Sequence, residues 1–405
     1  MNRISPILQE AKKYEKDMIK WRRDIHSHPE VGFDLPRTSA LVAEHLKRFG
    51  FEVKIGFAKS AVLGILDTGI PGKTIAVRAD MDALSMMEES GAPFSSEIPG
   101  KCHACGHDAH TALLLGLAKY LSEHREILKS GKVKLIFQPA EEGPAPGGAK
   151  LIVDSGVLDD VDVIFGAHAQ PLYPVGTIGC KYGDAFASGD FFEVKLTGVG
   201  SHAASPHKGK DVITTAAQII EAIQNIRSRE LPPLKTAVIS VCSIHAGTLG
   251  TKNVLPQELT FGGTFRAYDD HVRAYIAKRL EEVVTGIALL NGCKAEVKDS
   301  FNYPSFQNDE DVIHTIYRSA KEILGEDHVI KKEDPEMGSE DFAWYTKKYK
   351  GAFFFFGIRN EEKGCTYSLH NPKFKIDEDA FVPTLAVYVN TICHLMEAER
   401  GYEGE

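Results

Sequence analysis

The sequence predicts an α/β fold: a mostly parallel sheet with helices on both faces, interrupted by a smaller inserted α+β, ferredoxin-like domain. Three observations predict it. Short β-branched runs alternate with helical periodicity in the first 187 residues, and the mixed pattern resumes after residue 303. Between about 188 and 302 the order becomes β-α-β-β-α-β, the pattern of a split βαβ unit. The composition, 43% hydrophobic and 25% charged, is that of an ordinary globular chain. At roughly 100–200 residues per domain, 405 residues favour two or three domains. The expected division is therefore one α/β domain built from 1–187 and 303–405, with 188–302 inserted in it.

Ile7, Ala11, Tyr14, Met18 and Ile25 recur at three- and four-residue spacing, which predicts an amphipathic helix over 7–25. A second helix is expected over about 38–49, begun by Thr38 or Ser39 and stopped by Gly50. Runs at 51–55, 61–66 and 74–79 read as strands, and a long apolar helix follows at about 108–123. A strand over 133–138, a helix near 148–155 and a strand over 161–167 complete the first segment. In the insert, strands are expected at 190–197, 236–245, 258–266 and 293–300, with helices at 211–228 and 270–290. Helix 309–324, strand 352–356 and a helix from about 378 to 398 close the chain.

The 47 Lys and Arg against 56 Asp and Glu give a net charge of −9, and no basic stripe interleaves with aromatics, so a nucleic-acid partner is not expected. The N-terminal stretch is charged and lacks the apolar core of a secretory signal, and the longest apolar runs are too short to cross a bilayer. The expected location is the cytoplasm. In that reducing compartment the 7 cysteines read as buried hydrophobes or metal ligands before disulfides.

Ligands of open α/β sheets bind at the carboxyl ends of strands. Strand 74–79 runs into Asp80-Met81-Asp82, strand 133–138 into Pro139-Ala140-Glu141-Glu142-Gly143, and strand 161–167 ends at His168. Cys102-His103-Ala104-Cys105-Gly106-His107-Asp108-Ala109-His110 sits directly before a helix. Singly, each has an ordinary alternative. A Glu-Glu pair is commonly solvated surface and a lone His a packing residue, while Cys102-x-x-Cys105 could be half a zinc ribbon or a redox pair. No second such pair follows, and nothing marks a thioredoxin-type motif. Together, at successive strand ends, they point to a divalent-metal site, with Glu141-Glu142 divided between coordination and catalysis.

Four stretches, Arg78–Leu84, His103–Asp108, Phe137–Gly143 and Leu369–Pro372, resemble the aminoacylase/hippurate hydrolase branch of the co-catalytic zinc metallopeptidases. That branch includes the auxin–amino acid conjugate hydrolases and is related to the glutamate-releasing carboxypeptidases. The resemblance implies an amidohydrolase of N-acyl-L-amino acids with acetyl, benzoyl or related acyl groups. It also implies two divalent ions per subunit, Zn²⁺ or Mn²⁺ with Co²⁺ or Ni²⁺ as alternatives, held by Cys105, His107, Glu142, His168 and His370. Glu141 would be the general base, and Asp82 and Asp108 would orient ligands or serve as simple structural caps. The insert would be a lid and dimerisation domain of a homodimer. Its His202 would reach the partner's site to stabilise an oxyanion, while Asn253 and Arg266 would bind the substrate's backbone and carboxylate. Gly338–Phe342 also matches a stretch expected to line the site. Cys102 departs from the pattern, standing where the branch usually has Met, and is expected to be inert packing. Rival readings are a dipeptidase or carboxypeptidase with the same metals, a metal-dependent binding protein without catalysis, and a disulfide oxidoreductase built on Cys102 and Cys105.

Overall fold

The computed structural model describes residues 5–397; the outermost parts of the terminal assignments, residues 1–4 and 398–405, lie outside the described residues. The chain divides into two compact units. One comprises residues up to Ala185, Gln307–Asp334 and from Trp344 onward; the other comprises Phe186–Phe306 and Pro335–Ala343.

The first unit is built on an eight-stranded sheet. Its spatial order is Glu52–Lys54, Val62–Asp67, Lys132–Gln138, Thr74–Asp80, Val163–Pro174, Lys350–Arg359, Ile178–Lys181, Val329–Lys332. The central run from Lys132–Gln138 to Lys350–Arg359 is parallel throughout. These strands are buried on both faces, which explains their continuous apolar sequences. Val133, Leu135, Phe137, Ile75, Val77, Phe165, Phe354 and Phe356 enter one core with the helices Glu15–Ser27, His107–Glu123, Glu310–Leu324 and Phe381–Glu397. On the opposite face Arg78, Ile136, Ile164 and Phe353 are buried as well.

Several elements differ from their sequence-based bounds. The first helix is broken into Pro6–Ala11 and Glu15–Ser27 by a 3₁₀ turn at Lys12–Tyr14, where buried Tyr14 donates to Glu123 Oε2 at 2.8 Å. The second starts earlier, at Pro36, because the Glu30 carboxylate accepts the Arg37 and Thr38 N–H groups at 3.0 and 2.8 Å. The strand expected to end at His168 continues to Pro174, since Lys350–Arg359 is itself longer than expected and pairs as far as Arg359 with Pro174. His168 thus projects from within a strand. The short strands Ile178–Lys181 and Val329–Lys332 were not foreseen.

In the second unit, Gly189–Thr197, Val212–Asn225, Ala237–Ala246, Glu258–Ala267, Asp270–Leu290 and Lys294–Tyr303 follow in β-α-β-β-α-β order. The four strands form an antiparallel sheet with Gly189–Thr197 and Glu258–Ala267 inside. Phe192, Val194, Leu196 and Phe261 pack with Ile219, Ile223, Ile276 and Leu280 of the helices. Both helices begin at aspartates, Asp211 and Asp269, whose carboxylates accept the first free N–H groups. Pro335–Ala343 belongs to this unit: Ala187 N–H donates to Glu336 O at 3.0 Å, and the Phe306 and Phe342 rings lie 5.8 Å apart. No helix among the described residues is long and apolar enough to cross a membrane.

Candidate metal centre

The site grows from the carboxyl ends of the parallel strands in the first unit. After Thr74–Asp80, the Met81 N–H still pairs with Gln138 O, at 2.8 Å, and the chain then turns to place Asp82 under the Glu141-Glu142 turn. The two Asp82 carboxylate oxygens accept the N–H groups of Glu141 and Glu142 at 2.9 and 3.1 Å. The turn itself requires Ala140 at φ +56°, a left-handed conformation that L residues seldom adopt. The next donor lies at the start of helix His107–Glu123, preceded by Gly106 at φ +92°. A Cβ at Gly106 would lie 3.1 and 3.2 Å from Ile376 and Ala169, so both its conformation and its crowding favour glycine.

Tautomers follow from the hydrogen bonds. Asp82 O accepts from His107 Nδ1 at 2.8 Å, which leaves His107 Nε2 facing away from that carbonyl, buried and without a hydrogen-bond partner. Ala169 O accepts from His168 Nδ1 at 2.8 Å, so its Nε2 is bare, 3.4 Å from Cys105 Sγ. Two ligands of one tetrahedral zinc, about 2.3 Å to sulfur and 2.0–2.1 Å to nitrogen, would stand about 3.5 Å apart. His370, at φ +61°, is fixed by its N–H to Ala104 O at 2.8 Å. Its Nε2 lies 2.9 Å from Glu142 Oε1 without hydrogen-bond alignment, as two donors facing a common ion would.

The five residues expected as ligands thus fall into two groups of converging donor atoms, Cys105–His107–His168 and Cys105–Glu142–His370, with the thiol common to both. Glu141 stands beside them, Oε2 3.9 Å from His107 Nε2. The donor set suits soft or borderline divalent cations such as Zn²⁺, and the buried His107 Nε2 without a hydrogen-bond partner is what an ion would satisfy.

The electrostatics agree with a cation site. Burial opposes charge on His107, but Asp80, Asp82 and Glu142 outweigh it and raise the imidazole to about 10. Burial, then His110, lowers His168 to about 3, and burial with Glu142 and Glu141 pushes the Cys105 thiol well up. Burial also raises Glu142, yet His370 and His107 bring its carboxyl below the usual value. The pocket carries excess negative charge, and a bound cation would ionise the thiol outright.

Asp108 bonds to helix Glu15–Ser27 rather than to a proposed ligand: its Oδ2 accepts from Arg22 Nε and His26 Nδ1, both at 2.8 Å. Burial works against its charge, but Arg22 and His26 hold its carboxyl far below the usual range. Cys102 is buried in a bridge with Leu84, and burial pushes its thiol up to about 12, in keeping with the packing role expected of it. His202, Asn253 and Arg266 are in the second unit. His202 is exposed and pairs with Val254, while Asn253 O accepts the Ala203 N–H at 2.9 Å. Half-buried Arg266 donates from Nη1 to Met337 O at 3.1 Å. Glu340 and Asp341 of the Gly338–Phe342 stretch are buried in the same unit.

Asp80 and His110 stand in the sequence motifs but carry no role in the sequence-based reading. His110 Nδ1 donates to Asp80 Oδ1 at 2.6 Å, and Arg78 Nη1 holds Asp80 Oδ2 at 2.6 Å. The available signal was spacing: His110 follows His107 by three residues, on one face of a helix.

The Peptidase family M20/M25/M40 description matches residues 76–394. The chain is 38% identical over 381 residues to thermostable carboxypeptidase 2 of Saccharolobus solfataricus, covering 94% of this chain and 95% of that one. It is 40% identical over 367 residues to IAA-amino acid hydrolase ILR1-like 4 of Arabidopsis thaliana, covering 89% and 82%. Among solved structures it is similar to the Bacillus subtilis YXEP protein, described as a dinuclear metal binding peptidase from the M20 family. That match has a TM-score of 0.82 and 33% identity, covering 96% of this chain and 99% of that one.

Proposed function

The chain belongs to peptidase family M20/M25/M40 and is a metal-dependent hydrolase of amide bonds; from that premise we propose that it cleaves N-acyl-L-amino acids at a two-ion centre. The observation that carries the reading is the convergence of the donor atoms of Cys105, His107, Glu142, His168 and His370, with the Glu141 carboxylate within reach of His107 and Glu142 beside them. Divalent ions held there would lower the pKa of a water and polarise the scissile carbonyl. Glu141 would act as the base that accepts a proton from the attacking water and as the acid that delivers it to the nitrogen of the departing amine. Asp82 fixes both glutamates by holding their backbone N–H groups and orients His107 through its carbonyl. We assign to His202, Asn253 and Arg266 the oxyanion, backbone and carboxylate of the substrate, Arg266 because a planar guanidinium grips a carboxylate through two bonds.

A carboxypeptidase acting through the same residues is the second reading, favoured by the identity to the Saccharolobus protein. We also propose a homodimer through the second unit and a cytoplasmic location. The test is hydrolysis of acetyl-, benzoyl- and indoleacyl-amino acids against dipeptides and C-terminally varied peptides, before and after chelation and refilling with Zn²⁺, Mn²⁺ or Co²⁺. Glu141→Ala is expected to keep its metal and lose about 10²–10⁴-fold in turnover. Retained turnover would remove Glu141 as base; cleavage of peptides alone would favour the second reading.

A further inference from the structure

The ladder between Thr74–Asp80 and Val163–Pro174 ends at Arg78 with Gly166. Beyond it, the Ala169 N–H and C=O are taken by two imidazoles instead of a strand. The N–H donates to His110 Nε2 at 3.0 Å, and the C=O accepts from His168 Nδ1 at 2.8 Å. An accepting Nε2 places the His110 proton on Nδ1, where it is donated to Asp80 Oδ1 at 2.6 Å. Asp80 is fixed in turn by Arg78 Nη1, and Arg78 Nε by Gln138 Oε1 at 2.9 Å. The His110 ring is clamped edge-on between His168, centroids 4.6 Å apart, and Phe356, 5.6 Å.

We infer that His110 is a positioning residue for the proposed ligand His168, acting through the backbone of Ala169 and held by Asp80. The inference rests on the reading of His168 as a ligand. His110 supplies the acceptor that a neighbouring strand would otherwise supply, so the Ala169 carbonyl stays aimed at His168 Nδ1 and the bare Nε2 faces Cys105. Without that acceptor the Ala169 N–H is buried and unpaired, a loss the chain relieves by moving this backbone.

The two roles of the His110 ring separate by substitution. His110→Asn retains a donor toward Asp80 but places no acceptor near Ala169; His110→Gln sets Oε1 near the Nε2 position. Full-length protein loaded with Co²⁺ is dialysed against graded chelator, and retained ions per chain and the cobalt absorption spectrum are recorded. His168→Ala is expected to weaken one ion, and His110→Asn the same ion by about 10–100-fold. His110→Gln should recover most of that loss. If His168→Ala loses an ion while His110→Asn behaves as wild type, the positioning role is overturned and the ligand reading stands. If His168→Ala also retains both ions, the ligand reading fails and carries the inference with it. Should His110→Asn not fold, imidazole ¹⁵N spectra of the wild-type protein decide: Nδ1-protonated neutral His110 and His168 support the chain of bonds, and Nε2-protonated His110 overturns it.

Discussion

Replacing Arg22 by Met separates the structural role of Asp108 from any role in the metal centre. Arg22 is buried, its Nε 2.8 Å from Asp108 Oδ2 and its Nη1 3.0 Å from Glu378 Oε1, with the guanidinium 5.0 Å from the Phe94 centroid. Met preserves the stem packing but leaves Asp108 with one partner, His26; Asp108 Oδ1 already has none. Glu378 keeps Arg23. Stranding a buried carboxylate in this way costs about 3–5 kcal/mol. With a urea slope of about 3 kcal/mol per M, the midpoint falls by about 1–2 M. Both tryptophans, Trp21 and Trp344, lie in the first unit, so tryptophan fluorescence reports its transition alone. Asp108→Asn in the Arg22→Met background should recover part of the loss, because it removes a buried charge left with His26 as its one hydrogen-bond partner. Metal content should not change in either variant. A midpoint shift under about 0.3 M, or additive losses in the double variant, would refute the pairing argument. Loss of metal from Asp108→Asn alone would return Asp108 to the ligand-orienting role.

Two further outcomes follow from the same region and its neighbour. Glu88, its side chain 6% exposed, is pushed up by burial but held at about 2 by His26, Ser90 and the Ser96 N–H. Its folded value lies below the unfolded value of about 4.5, so its stabilisation is complete above about pH 4.5 and is lost as pH falls toward 2. Glu88→Gln should therefore lower stability at neutral pH by up to about 3 kcal/mol and flatten the acid limb of a urea-midpoint profile; an unchanged limb would rule this pair out as its source. At Gly148 a Cβ would meet Pro139 O at 1.9 Å, and backbone cannot swing aside as a side chain can. Since Gly148 N–H also donates to Ala140 O at 3.2 Å, Gly148→Ala should cost about 1–3 kcal/mol and weaken metal retention through Glu142. Unaltered metal retention would show that the turn tolerates the displacement.

The parts of the site legible in the sequence are those fixed locally. Asp82 and Glu141-Glu142 follow apolar strands, and Cys105 and His107 flank a glycine at a helix start, so strand-end chemistry can be read from order alone. His168 was legible as a residue but not as a position inside a longer strand, because its pairing with Lys350–Arg359 joins segments far apart in the chain. The partners of Asp108 were hidden for the same reason, lying more than eighty residues away on another helix. The Asp80–His110 pair shows a subtler limit. Its spacing is visible, yet its meaning depends on where a neighbouring ladder ends, which no local pattern encodes.

The donor atoms also converge where the backbone departs from ordinary geometry. Ala140 at φ +56° precedes the two glutamates, Gly106 at φ +92° precedes His107, and His370 itself sits at φ +61°. Non-glycine residues held in the left-handed region cost about 1–3 kcal/mol each, and such strain persists only when surrounding contacts over-determine it. Those contacts are identifiable: Asp82 grips the N–H groups after Ala140, Ala104 O fixes the N–H of His370, and Pro372 O receives the Glu89 N–H at 2.7 Å. Hydrogen bonding thus offsets strain at these turns and fixes the directions of the donors. The net charge of −9 would give no long-range attraction for the proposed carboxylate substrate; the pull of the proposed centre on a cation would come from a few buried carboxylates whose directions the strained turns set.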